Sequence, residues 1–111
     1  MPKPDEALLK HMLDACRDMA EILVGRTRSD LDTDKLLYNA VIRLVLVVGE
    51  AAARIGPATR ERLPGPPWTL MAATRNRLVH GYYDIDPDRL WITASESLPA
   101  LRRELEASGL V

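Results

Sequence analysis

The stretch Lys35-Leu36-Leu37-Tyr38-Asn39-Ala40-Val41-Ile42-Arg43-Leu44-Val45-Leu46-Val47-Val48-Gly49-Glu50-Ala51-Ala52-Ala53-Arg54-Ile55 decides the fold. Its β-branched residues Val41, Ile42, Val45, Val47 and Val48 would suit a strand. The spacing says otherwise. Leu37, Val41, Leu44, Val48, Ala51 and Ile55 step by 4, 3, 4, 3 and 4, which holds them on one face of a 3.6-residue helix over a length few strands reach. A second set, Leu36, Ala40, Leu46 and Val47, makes the segment apolar around much of its circumference. One bundle face cannot consume that surface, so the helix is either central or in contact with another subunit. Asp30-Leu31-Asp32-Thr33-Asp34 supplies candidate N-caps and an acidic first turn before it, and Gly56-Pro57 ends it.

Working outward, residues 5 to 24 form the preceding helix. Leu8, Met12, Ala15, Met19 and Ile22 share a face, with Leu9, Cys16 and Leu23 beside it and Gly25 as the stop. His11 lies at the edge of the stripe, as a surface or boundary histidine. On the other side, Pro57 to Arg62 forms one short helical turn. Leu63-Pro64-Gly65-Pro66-Pro67 is a stiff connection. A third long helix starts with Pro66 or Pro67 in its first turn and carries Trp68, Met71 and Leu78 inward. Gly81 is its C′ residue, so His80 lies in its last turn. Asp86-Pro87-Asp88 reads as N-cap plus proline at N1, opening a fourth helix lined by Leu90, Ala94, Leu98, Leu101 and Leu105 and kinked at Pro99. The expectation is all-α: an up-and-down four-helix bundle in a single domain spanning residues 1–111.

The bulk properties narrow the function. A formal net charge of −1 gives no global attraction to nucleic acid or anionic lipid. Locally, Arg54, Arg60, Arg62, Arg75 and Arg77 face only Glu61 between Arg54 and His80, a basic patch in the linear sequence. Cys16 is the one cysteine, so neither a disulfide within the chain nor a Cys-based zinc site can form, in keeping with a reducing cytoplasm. The two histidines, His11 and His80, are too few for a histidine-rich metal cluster, and neither metal nor cofactor is expected. The apolar run Val41–Val48 is broken by Arg43 and falls short of the ~20 residues a bilayer span needs, so no membrane is expected as a partner.

Polar chemistry concentrates in Thr74-Arg75-Asn76-Arg77-Leu78-Val79-His80-Gly81-Tyr82-Tyr83. At about 100° per residue, Asn76 and His80 share a helix face with Arg77 beside them, while Arg75 lies about 140° from His80. Arg75 and His80 therefore meet one substrate only if the arginine reaches around or a second chain contributes. Imidazole exchanges protons near neutral pH, and guanidinium binds phosphate and stabilises charge developing on it. The pair suits transesterification of RNA, in which the ribose 2′-hydroxyl is the nucleophile. His80 serves there as acid or as base. On the helix bearing the apolar stripe, Glu50 and Arg43 share a face. Glu50 either orients Arg75 or Arg77, or forms a structural salt bridge. Trp68 and Trp91 are expected to pack rather than to stack on bases.

Arg75-Asn76-(x)3-His80 resembles the Arg-polar-x3-His signature of HEPN domains, which are four-helix bundles. With Gly81-Tyr82 it is similar to the Arg-x4-His-x-Tyr form of the HepT toxins in HepT/MntA toxin–antitoxin modules. Val48-Gly49-Glu50-Ala51, Pro67-Trp68, Asp86, Trp91 and Leu98-Pro99 match the family's pattern in order, so the likeness covers nearly the whole chain. The resemblance implies a metal-independent RNase toxin of a type VII-like module, acting on tRNA or mRNA. It implies a homodimer whose paired Arg75 and His80 line one composite cleft, supported by Asn76, Arg77 and Glu50. It also implies a partner, an MntA-like minimal nucleotidyltransferase antitoxin that transfers AMP from ATP to Tyr82, with Tyr83 a second candidate acceptor. A non-catalytic binding subunit for such a nucleotidyltransferase is the alternative.

Overall fold

The structure, a computed structural model, describes residues 4–81 and 85–111, apart from the side chains of Pro4 and His80. Helix α1 (Pro4–Ile22) turns its stripe inward, burying Leu9, Met12, Ala15, Cys16 and Met19, and Leu13 with them. It stops at a turn in which Arg26 N–H donates to the Leu23 carbonyl across Gly25, whose φ of 72° favours a residue without Cβ.

The acidic segment splits instead of running into the next helix. Asp30–Thr33 forms a one-turn helix of its own, α2, and Asp34 adopts an extended conformation. Its carboxylate then accepts the Leu37 N–H at 3.1 Å, so that α3 (Lys35–Arg54) begins one residue later. Of the four candidate caps, Asp30, Asp32, Thr33 and Asp34, the last one serves.

Helix α3 is the centre of the molecule. It buries Leu37, Val41, Val45, Val48, Gly49, Ala51 and Ala52 and packs against α1 on one side and α5 (Trp68–Gly81) on another. Its surplus apolar surface is largely consumed within the chain, since Ile42, Leu44, Leu46 and Val47 are partly buried against the core. Only Leu36, 83% exposed, stands clear. With a length of 20 residues and a mean hydropathy of 1.7, α3 has the size and composition of a bilayer span, yet here it is the packed axis of a bundle.

Between α3 and α5 lies the short helix α4 (Pro57–Arg62). Asp5, at the start of α1, accepts hydrogen bonds from Gly56 N–H (3.2 Å) and Thr59 Oγ1 (2.7 Å), pinning the start of α4 to α1. The prolines that follow stand just outside α5 rather than within its first turn. The Pro67 carbonyl accepts the Met71 N–H, placing Pro67 at the N-cap position.

The expected fourth helix is a chain of three pieces. Asp86 caps α6 (Pro87–Ile92) by accepting the Asp88 N–H at 2.9 Å, with proline at N1. A π-helical turn covers Thr93–Ser97, and α7 (Leu98–Ser108) ends at Gly109 in the left-handed conformation. The kink expected at Pro99 is expressed in the turn before it. Proline has no N–H for the carbonyl four residues back and its ring crowds that group, so the ladder widens and Leu98 N–H donates to Thr93, five residues back. Leu90, Ala94, Leu98, Leu101 and Leu105 nevertheless all reach the core.

Helix α1 also packs on α7, where Arg17 meets Glu106 at 3.0 Å. Helix α5 packs mainly on α3 and leaves an open groove toward the π-turn and α7, with cavities of about 280 and 370 Å³. Among the described residues there is no strand, so the architecture is an all-α helical bundle.

Candidate functional site

The site is built on the crossing of α3 and α5. A Cβ added to Gly49 would stand 2.5 Å from Arg75 Cβ, 3.1 Å from the Met71 carbonyl oxygen and 3.2 Å from Arg75 Cα. No real side chain fits there. Glycine inside a helix costs about 1 kcal/mol relative to alanine, and here the cost is offset by bringing the α5 backbone against α3 at Arg75.

That approach sets the next contact. Arg75 Nε donates to Glu50 Oε1 at 3.0 Å, and Arg75 Nη1 donates to Asn76 Oδ1 at 2.8 Å. The guanidinium is thus held at two edges by neighbours on two helices, and among the described residues Nη2 has no partner. The ion pair is part-exposed, with side-chain exposures of 31% and 45%, so it adds at most about 1 kcal/mol. Its consequence is orientation. A fixed guanidinium with a free edge presents N–H groups to a phosphate without first losing rotamer freedom.

Glu50 is therefore tied to Arg75, neither to Arg77 nor to Arg43. Asn76 is exposed, on the same helical face one turn before His80, the penultimate residue of α5. The His80 side chain, Tyr82 and Tyr83 lie outside the described residues. Arg77 points to the side of α5 opposite Arg75, where it borders the groove with Leu70, Thr74, Ile85 and Arg89.

The basic patch of the linear sequence disperses in space. Arg60 folds back over the Trp68 ring (6.0 Å to its centroid) and donates to the Ala52 carbonyl at 3.0 Å. Arg62 lies near Asp5 and Glu6 at another end of the bundle. Arg54 is exposed on α3, beside Glu50 in a groove shared with α1. Trp68 is buried and donates Nε1–H to the Leu63 carbonyl at 2.9 Å, a core tryptophan with a satisfied polar end. Trp91 is half-buried against the core, and His11 is exposed on α1. Among the described residues, no group of three His, Cys, Asp or Glu side chains is arranged to hold a metal ion.

The residue whose role sequence reasoning missed is Gly49. The signal was present: it is the one glycine inside a 20-residue helix, where glycine marks close backbone approach.

Comparison with known proteins follows the same lines. A family model described as "Ribonuclease HepT-like" matches residues 12–108. A Methanocaldococcus jannaschii protein provisionally named an RNase is 34% identical over 107 residues, covering 96% of this chain and 98% of its own. A Thermococcus cleftensis protein named "Probable ribonuclease HepT" is 33% identical over 101 residues, covering 87% and 92%. No solved structure shows significant similarity.

Proposed function

Since the chain belongs to the HepT-like ribonuclease family, we propose that it is the metal-independent endoribonuclease toxin of a toxin–antitoxin module. The observation that carries this reading is the Arg75 guanidinium, clamped by Glu50 of α3 and Asn76 of α5, the helix whose last turn holds His80. Arg75 binds the scissile phosphodiester and stabilises the charge that accumulates on its oxygens. The ribose 2′-oxygen attacks phosphorus, the bond to the 5′-oxygen breaks, and a 2′,3′-cyclic phosphate and a 5′-hydroxyl result. His80 moves a proton, taking it from the 2′-hydroxyl as base or giving it to the leaving 5′-oxygen as acid.

Two copies of the chain form the working unit. Leu70 and Ile92 are exposed large apolar residues on the lips of the open groove beside α5, and Val79 is exposed on α5 itself. A second copy packed in that groove would cover Leu70 and Ile92. The antitoxin is a minimal nucleotidyltransferase that transfers AMP from ATP to the Tyr82 hydroxyl, releasing pyrophosphate. The adduct places a negative charge and a nucleoside beside Arg75 and blocks RNA. The setting is the cytoplasm.

Cleavage of labelled RNA by purified protein in excess EDTA tests the reading. Wild type is expected to cut, leaving cyclic phosphate ends, and His80→Ala to lose activity by ~10²–10⁴-fold. Equal cleavage by the two proteins, or dependence on added divalent metal, would sink it. Partner binding without any RNA breakdown would instead favour the binding-subunit alternative. Incubation with the partner and ATP should add one AMP by intact mass, absent in Tyr82→Phe; an adduct that survives moves the acceptor to Tyr83.

A further inference from the structure

Arg43, Val47, Glu50 and Arg54 step by 4, 3 and 4 along α3 and form one stripe, about 16 Å from end to end at ~1.5 Å per residue. Together with Leu8 and His11 of α1 they line an open groove of about 250 Å³. Both arginines are exposed, and among the described residues neither comes within ion-pair distance of a carboxylate. The one acid on α3, Glu50, is already engaged by Arg75 Nε at 3.0 Å. The stripe therefore presents a cation, a neutralised carboxylate and a second cation, with the Arg75 guanidinium joined to it at Glu50.

We propose that this groove is the path of a single RNA strand, with Arg43 and Arg54 holding the phosphates on either side of the one bound by Arg75. Free guanidinium groups in water, fixed along a rigid helix, are what a polyanion of regular charge spacing recognises. Val47 and Leu8 give the groove an apolar floor for ribose, and the exposed His11 ring gives a face on which an unpaired base can stack. Only an unpaired strand offers bases free to stack on that ring. The proposal rests on the ribonuclease reading of Arg75 and extends it to substrate class and path.

The test uses binding and cleavage together. In a His80→Ala background, Arg43→Ala and Arg54→Ala should each raise the Kd for a labelled oligouridylate about tenfold, the effect of one charge-assisted contact. Each should also flatten the dependence of log Kd on log salt by about 0.7, the slope of one phosphate contact on a single strand. In the active protein the same changes should raise KM and spare kcat, and a duplex of equal length should bind more weakly than the single strand. Arg103→Ala, an exposed α7 arginine outside the groove, should change nothing. Unchanged Kd and slope in both arginine variants, an equal loss in Arg103→Ala, or equal duplex affinity would overturn the path while leaving cleavage intact. A change in oligomeric mass in either arginine variant would make the stripe an interface between copies and overturn it too. If wild type neither binds nor cuts RNA, the ribonuclease reading itself fails, a result distinguishable from all of these.

Discussion

The placement of Arg75 depends on an atom that is missing. Gly49→Ala keeps every charge of the site and adds one methyl group where Arg75 Cβ would be 2.5 Å away. Helix α5 must retreat, which costs about 1–3 kcal/mol as overpacking and displaces the guanidinium from Glu50. Cleavage should fall by about 10²-fold, the scale set by a misplacement near 1 Å, while far-UV circular dichroism stays helical. Normal activity with a normal melting temperature would contradict the tight crossing. Cys16 is a second residue whose surroundings fix its chemistry. Burial in the core pushes its thiol up to about 12, so almost no thiolate exists near neutral pH. Iodoacetamide at mildly alkaline pH should leave native protein unmodified by mass and add a single adduct once the chain is denatured.

At the scale of elements, the ends of helices carry the ionisable contribution to stability. Asp34, capping α3 through the Leu37 N–H and pairing with Arg26, lies below the ordinary 3.8. Glu106, held by Arg17 and then Arg102 between α1 and α7, lies below 4.5. Both folded values are depressed. Their stabilisation is therefore complete above the unfolded pKa values and is lost as pH falls through the folded ones, over roughly pH 5 to pH 3. An Asp34→Asn/Glu106→Gln protein should melt lower than wild type at pH 7 and lose less on acidification. Parallel melting curves over that range would refute the assignment. The elements were largely legible because their evidence is local. The steps of 4 and 3 through Leu37–Ile55 announced α3, and Asp86-Pro87 announced the start of α6. Less legible were features created only by packing. Asp5 caps a helix more than fifty residues away, Arg60 leaves its sequence neighbours to reach the Ala52 carbonyl, and Gly49 acquires its meaning only when α5 crosses it. The π-turn fell between these classes: Pro99 predicted a disturbance, but only the three-dimensional ladder shows it absorbed in the preceding turn.

For the whole molecule, the unfilled side of α5 is the feature that bears on assembly. If a second copy closes that groove, Leu70→Glu and Ile92→Glu together should halve the solution mass from twice 12.4 kDa to a single protomer and abolish cleavage, with helicity retained. A dimer surviving both charges would place the interface elsewhere. The bundle also has a property that matters before it closes. By length and composition, helix α3 could be taken for a membrane span before folding packs it into the bundle. Arg43 sits close to the midpoint of α3, where an arginine raises the cost of translocon insertion by about 2.5–3.5 kcal/mol. The same guanidinium that lines the groove with α1 therefore weighs against insertion of this helix into a bilayer. Replacing it with leucine would create a sorting hazard during biogenesis that no assay on purified protein would register.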